Sequence, residues 1–456
     1  MVVTRKGFSQ VVANGFAGLG FVPEAPTVYE FPIEMFLPAG DLTPLKQNID
    51  KIVYGLTKWE PKIKQKEASY PGQKVTVKGK DYQEAVDKMN LLFLKNLWGD
   101  GLPLLPATEE RVNWILTGTD LPRHTVVGNG KVLPRGGIAT VESLAVALAM
   151  AGGRPEYLPL LIAAVEALTQ PEGRLDDWNA TTASNYPAVI VNGPIAKQIR
   201  LNSRYGVMGP DPSYPAGGPI GRAIRLILMN LGGAIPGVGT MGIFGGMRYT
   251  NAVFAEDEAG LPSGWKALSV EQGFPEGSNL VTVVPVSGAT NIQLTLVDAT
   301  TAEDAQLQWL FRIAGVMGGP GGQNAGFDKE PGHTSGVVLL GRAQANELTK
   351  LGWSKEKVKA FLWENSKIPW SEIVKVGRAV FAKEIGISEG QPLSLAQPIV
   401  VVAGGDQSGH GYWMQVGKKS MVVSKEIKLP SKAKWDELLM QAEKDLGPIP
   451  NQIEGS

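Results

Sequence analysis

The chain contains no cysteine. Disulfides, thiolate nucleophiles, cysteine-based zinc sites and iron–sulfur clusters cannot be built from its own side chains. Histidine is nearly as scarce. His124, His333 and His410 are the only three, far apart and without HxxxH or HxH spacing, so no metal site is expected and no cofactor is indicated. An excess of one charge is missing too. Lys+Arg and Asp+Glu both number 44 in 456 residues, which removes the electrostatic case for nucleic acid or an anionic membrane as a partner. No apolar run approaches ~20 residues, so no spanning helix is expected. Arg5 and Lys6 lead into no apolar h-region, so no secretory signal is expected. These absences point to a cytoplasmic protein.

Glycine, in contrast, is abundant, with 56 residues gathered in a few loops. Such loops let a backbone approach a ligand closely. A chain this long suggests two to four domains. The opening "MVVTRKGFSQVVANGFAGLGFVPEAPTVYEFPIEMFL" reads as a helix and then a strand, with no room for a strand before the helix. Phe8, Val12, Phe16 and Leu19 form a helix face, and Thr27 to Phe31 is a short β-branched and aromatic run. Thr43 and Pro44 start a second helix, with Leu45, Ile49, Ile52, Val53 and Leu56 on one face. Residues 1–60 thus look like part of a doubly wound unit whose strand lacks its preceding parallel neighbour.

Residues 61–73 are polar and proline-bounded, a linker by composition. "KVTVKGK" alternates as an exposed strand, and Asp81 with Glu84 opens a helix by a capping box. From there strands alternate with helices, so the expectation is α/β with a mostly parallel sheet and glycine-rich loops. The large domain is divided into 74–300 and 301–430, with residues 279–298 reading as two strands. Residues 431–456 form a helix and tail. No repeat of 20–50 residues is evident.

Six stretches could carry chemistry. "PIVVVAGGDQSGHGYW" is a buried strand followed by a glycine turn, which places Asp406 and His410 where open α/β sheets bind ligands. The carboxylate can orient the imidazole for general acid/base work, although an idle loop histidine fits the same pattern. "AGGPIGRAIRL" puts Gly217, Gly218 and Arg222 at a helix start suited to an anion, or to tight packing. In "WGDGLPLLP", Trp98 and Asp100 stand at a helix end. An acid there is electrostatically misplaced and asks for a partner, unless it only makes an Asp-Gly turn. Asn185, Asn192, Asn202 and Ser203 concentrate in "ATTASNYPAVIVNGP" and "RLNSRYGVMGP", with Asn192 the best placed to face a ligand. The loop 318–336, which carries His333, reads as a lid or as an ordinary surface loop.

"DYQEAVDKMNLLFLKNLWGDGLPLLPATEERV", "TVESLAVALAMAGGRPEYLPLLIAAVEAL", "VNGPIAKQIRLNS", "GPIGRAIRLILMNLGGAIPG" and "GWSKEKVKAFLWENSKIP" together resemble the large domain associated with UGSC-motif (seleno)proteins. "IVVVAGGDQSGHGYW" is similar to that domain's late glycine–histidine segment, and residues 1–59 to the back half of the UGSC-type domain. The resemblance implies thiol or selenol chemistry on a small organic molecule. The sulfur would come from a separate small chain that carries the strand, a CxxC-like loop and the first helix. This chain would then be one subunit of a hetero-oligomeric oxidoreductase or lyase. It would supply a pocket for an anionic substrate, with His410 as acid/base, Asp406 as its orienter, and Trp98, Asp100, Asn185, Asn192, Asn202, Ser203, Gly217, Gly218, Arg222 and His333 around the substrate. The alternatives are a non-catalytic subunit that completes the partner's fold, and a self-contained lyase or hydrolase using His410 and carboxylates.

Overall fold

The computed structural model describes residues 1–22, 25–37, 39–60, 74–245, 252–294, 298–319, 332–407, 409–417 and 421–449. The linker expected at 61–73 and most of the loop 318–336 lie outside the described residues.

The N-terminal unit corrects the first expectation. Val2–Arg5 is a strand, β1, and it runs parallel to β2 (Val28–Phe31), with Val2 opposite Val28 and Arg5 opposite Phe31. Four residues suffice because Val2, Val3 and Thr4 are β-branched and the helix Ser9–Gly18 starts at once after the Gly7 turn, where φ is +92°. Glu30 on β2 starts that helix. Its carboxylate accepts from the backbone N–H of Gly7 (2.9 Å) and Ser9 (3.0 Å) and from the Ser9 hydroxyl (2.7 Å), chiefly the last of which holds its pKa below the ordinary value. On the other face, Phe31 and Met35 pack with Ile52 of the helix Ile49–Lys58. The helix expected from Thr43 breaks at Asn48, and Ile49, Val53, Tyr54 and Leu56 remain exposed. Gly18 docks the unit on the rest of the chain. A Cβ there would fall 2.0 Å from the Pro134 carbonyl oxygen, and Lys131 Nζ donates to the Gly18 carbonyl at 3.1 Å.

The stretch read as an exposed strand at residues 74–80 is irregular. Asp81 then caps the helix Tyr82–Asn96, accepting from Glu84 N. A two-stranded hairpin, β3 (Val126–Val132) with β4 (Gly137–Thr140), leads into the buried helices Val141–Met150 and Leu158–Leu168.

One sheet organises the remainder. Its strands are β5 (Tyr186–Asn192), β6 (Ala252–Ala255), β7 (Leu280–Gln293), β8 (Gly336–Leu340), β9 (Ile399–Val402), β10 (His410–Val416) and β11 (Val423–Glu426). The order is β6-β5-β7-β10-β8-β9, with β11 beside β7. Only β5/β6 and β8/β9 are parallel. The sheet is mixed, which narrows the expectation of a mostly parallel one. Residues 280–293 form one long strand, not two. Its first half pairs with β5 and β11 and its second half with β10, so the parts divided at residue 300 share a sheet.

The strand order reads the same from either end. A parallel pair followed by an antiparallel strand (β5, β6, β7) is repeated as β8, β9, β10, and the starts of β5 and β8 lie about 150 residues apart. The two units meet along β7 and β10. Strand side chains alternate between faces. One face of the six strands β5 to β10, from Ile190 and Phe254 to Leu339, Val401 and Met414, forms a single buried cluster, so the sheet curls around its own inner face. The outer face of the first unit is covered by the helices Val141–Met150, Leu158–Leu168 and Gly217–Asn230. That of the second is covered by Ala302–Met317, Arg342–Lys350 and Lys355–Asn365. The curl brings the two edge strands together at their carboxyl ends, where Asp257 N donates to the Val402 carbonyl at 2.7 Å. The helix Lys432–Leu446 packs back on the first unit, its Trp435 indole donating to Gln198 at 3.1 Å. Among the described residues, no helix is long and apolar enough to cross a membrane.

Gly18→Ala should loosen the N-terminal unit from the hairpin while leaving the large sheet intact. Hydrogen exchange should rise in β1 and β2 and stay unchanged in β5 and β7. Unchanged protection in β1 would show that this contact does not hold the unit.

Candidate functional site

The charged residues of the fold meet where the sheet closes. β5 ends in Asn192, β6 runs into Glu256-Asp257-Glu258, β8 into Gly341-Arg342, and β9 into Gly404-Gly405-Asp406. Carboxyl ends of strands are where α/β sheets bind ligands. The segment 202–205 threads between the ends of β6 and β9. Ala255 N donates to the Asn202 carbonyl and Gly404 N to the Ser203 carbonyl, both at 2.9 Å.

Two ion pairs join the units across this seam. Arg342 grips Asp257 with two parallel bonds, Nε to Oδ2 at 2.9 Å and Nη2 to Oδ1 at 3.0 Å. Gly260 leaves the room for them, since a Cβ there would lie 2.2 Å from Arg342 Nε and 2.3 Å from Asp257 Oδ2. Asp406 accepts from Arg204, and its Oδ1 lies 3.8 Å from Arg342 Nε. The acid after β6 thus takes an arginine from the second unit, and the acid after β9 takes one from the first. The Asp257 side chain is 6% exposed, whereas those of Arg204, Arg342 and Asp406 are 30%, 30% and 31% exposed. Asp257 is structural, and the other three form an accessible mouth.

Behind the mouth lies a network of amide and carboxyl groups. The Asn192 amide donates to Glu256 Oε2 and Glu258 Oε1, each at 2.7 Å. Glu256 also accepts from Leu268 N at 2.6 Å and faces Lys355 Nζ at 3.4 Å. Both side chains of that pair are 0% exposed. Removing one partner of such a pair costs ~3–5 kcal/mol, because the other charge stays buried and unpaired. Glu258 differs, being half-buried. Burial raises its pKa above the ordinary glutamate value. Bonds from Asn192 and Gly193 N pull it partly back, and the Glu256 and Glu276 charges push it up again. A carboxyl shifted toward neutrality next to bound solvent or substrate suits proton transfer. Three buried polar atoms here have no hydrogen-bond partner: Asn192 Oδ1, Arg204 Nε and Asp406 Oδ1. Such atoms are costly until a partner arrives. Among the described residues, no three His, Asp or Glu side chains are placed to hold a metal ion.

Four of the residues expected from sequence come together here: Asn192, Asn202, Ser203 and Asp406. Asn202 is a scaffold, donating to the Tyr205 carbonyl (2.7 Å) and Asp211 (3.1 Å) and accepting from Arg204 N (2.8 Å). His410 is exposed at the start of β10, opposite Gln293, and no hydrogen bond or ion pair joins it to Asp406. Asp406 does not orient it, because two guanidinium groups have taken the carboxylate. Asp100 and Arg222 meet each other instead of a ligand, with bonds of 2.7 and 2.9 Å. Arg222 further donates to the Leu102 and Pro103 carbonyls. This is the partner that an acid at a helix end asks for. The Trp98 carbonyl accepts from Asn230, and its ring lies against Phe93. Gly217 is already helical and packs on β6, where a Cβ would fall 2.7 Å from the Val253 carbonyl oxygen. Gly218 has open space around it. Asn185 precedes β5 and His333 precedes β8, so both lie at the opposite strand ends from Asn192 and Arg342.

Sequence reasoning missed Glu256, Asp257, Glu258, Arg204, Arg342 and Lys355. The first three had a signal: three consecutive acids directly after the apolar run "AVFA". Lys355 sits in the charged stretch "SKEKVK" and gives no sign of burial.

No protein-family model matches the chain, and neither the curated proteins nor the solved structures contain a match to it.

Proposed function

We propose that the seam is an active site for a small anionic organic molecule, in which Glu258 carries the proton and Arg204 and Arg342 hold the anion. The observation that carries this reading is Glu258. It is a half-buried carboxyl with a raised pKa, one residue from the aspartate that Arg342 grips, at the carboxyl end of β6. A proton acceptor one residue from an aspartate that an arginine grips suits proton removal next to a bound carboxylate, the first step of addition–elimination or redox chemistry at such a centre. Glu258 takes the role that sequence assigned to His410, whose imidazole no side chain holds among the described residues.

A cysteine-free chain needs its thiol or selenol from elsewhere, and a separate chain is the source favoured here. The support is the N-terminal unit. Its sheet has only two strands among the described residues, and Ile33, Phe36, Leu42, Ile49, Val53, Tyr54 and Leu56 are 43–69% exposed. Two-stranded sheets are marginal alone, and exposed apolar surface of this kind marks an interaction site. Since β1 is present, the partner would cover this surface and not replace a missing strand.

Three outcomes are expected. In a panel of small organic acids in heavy water, the enzyme should exchange a proton next to the carboxylate of at least one. Glu258→Gln should slow that exchange by ~10²–10⁴-fold, and His410→Ala should leave it unchanged. Exchange that survives in the Glu258 variant removes the assignment.

The second outcome is thermodynamic. An ordinary glutamate titrates near 4.5, and folded Glu258 titrates higher. Between the two values the folded chain holds a proton that the unfolded chain has released, so stability falls as pH rises through this window. Glu258→Gln should therefore match wild type below about pH 4 and melt at a higher temperature than wild type above the window. A constant offset at all pH values would show that the shift is absent.

Third, light scattering of the chain alone should show self-association, reduced by Val53→Lys with Leu56→Lys. A monodisperse wild-type monomer that binds no apolar dye would argue against a partner on this face.

A further inference from the structure

Asp406 sits where a ligand carboxylate would sit. We infer that Arg204 and Arg342 form a carboxylate site that Asp406 occupies from within, and that an incoming substrate carboxylate displaces its side chain. The inference rests on the seam being a small-anion site and adds the chemical class of the ligand and the means of entry.

The two ion pairs of the seam differ in finish. Asp257 is saturated: both of its oxygens accept from Arg342, and its side chain is 6% exposed. Asp406 is not. Oδ2 accepts from Arg204, but Oδ1 has no hydrogen-bond partner and stands 3.8 Å from Arg342 Nε. Arg204 Nε is buried and has no acceptor. A guanidinium is a planar fork that binds a planar two-oxygen anion by two parallel bonds. A free carboxylate, untethered to the backbone, can meet this geometry, whereas Asp406 meets only part of it. The mouth is also open to such an exchange, with the three side chains each about a third exposed.

Displacement needs only the Asp406 side chain to move, since Gly404 has room and Gly405 is held in place by its neighbours. Gly404 lies at φ +112° with open space where a Cβ would be. The Tyr205 ring fills the Cβ position of Gly405 at 2.2 Å and is 38% exposed, so it forms a wall of the site. Rotation about the Asp406 side-chain bonds clears the guanidinium groups without moving the strand. Two arginines and two aspartates sum to zero before entry. The guanidinium groups then trade one carboxylate for another, and the displaced Asp406 carboxylate takes its charge out to solvent at the exposed mouth. An internal competitor lowers apparent affinity by the fraction of time the site is occupied.

The test is calorimetric titration of the full chain with acetate and succinate at fixed ionic strength, with chloride and inorganic phosphate as comparison anions. Asp406→Ala should bind acetate at least ~10-fold more tightly than wild type, as removal of a competitor requires. Arg204→Ala and the Arg204→Ala/Asp406→Ala double variant should lose that binding. Asp406→Asn, which keeps the shape but not the charge, should gain like the alanine variant. If both Asp406 variants melt at a lower temperature and gain no acetate affinity, Asp406 is only a brace between the units and the inference fails. If phosphate or chloride binds as well as acetate, the carboxylate assignment fails. The readout is binding of a non-reacting acid, so it stands or falls independently of whether Glu258 moves a proton.

Discussion

An apolar inner face has to be covered, and this sheet covers it with itself. Six strands turn Ile190, Phe254, Val284, Leu339, Val401 and Met414 toward one another. Burying a Val, Leu, Ile or Phe side chain is worth about 1.5–3 kcal/mol each, so the curl is strongly driven. The edges pay for it. β6 and β9 meet at their carboxyl ends, and among the described residues no ladder joins them. Side chains and the segment 202–205 complete what the ladder leaves open. The charged cluster exists at this point because the closure of the sheet is incomplete there.

The near-symmetry of the two units sharpens the contrast between their ends. After β6 come three acids, and after β9 come two glycines and one acid. The first unit contributes a buried carboxylate locked to Lys355 and a second carboxyl left half-exposed. The second unit contributes space and a loosely held aspartate. A structural brace would need only the reciprocal ion pairs. The amide of Asn192, shared between two carboxyl groups with its own oxygen unpartnered, is surplus to bracing. This difference between the two ends is what the proposed site at the seam rests on.

The N-terminal unit stands apart in its packing. Its sheet has a well-formed core around Phe31, Met35 and Ile52, yet the outer sides of its helices stay apolar and exposed. Its ties to the main body include the Gly18 contact, the Lys131 bond and the buried Asn14 amide beside Gly233 and Gly239. Such a unit can meet another surface without disturbing the curled sheet.

Much of this was legible from residue order alone. The α/β class, the helix start at Asp81 and the buried strand at β9 follow from period and capping, which are local. Asn192 and Asp406 were legible because each follows an apolar strand. β1 was missed because four residues carry little periodic signal, and the repeated strand order because strand pairing is not written in any short stretch. The partners were not legible at all. That Asp100 belongs to Arg222, that Asp406 belongs to Arg204 and not to His410, and that Lys355 is buried against Glu256 depend on contacts between residues 99–202 positions apart. Local spacing determined which elements form and where they end. The curl of the sheet decided which ends meet, because hydrophobic burial acts on a whole face at once and has no counterpart in any short stretch of sequence.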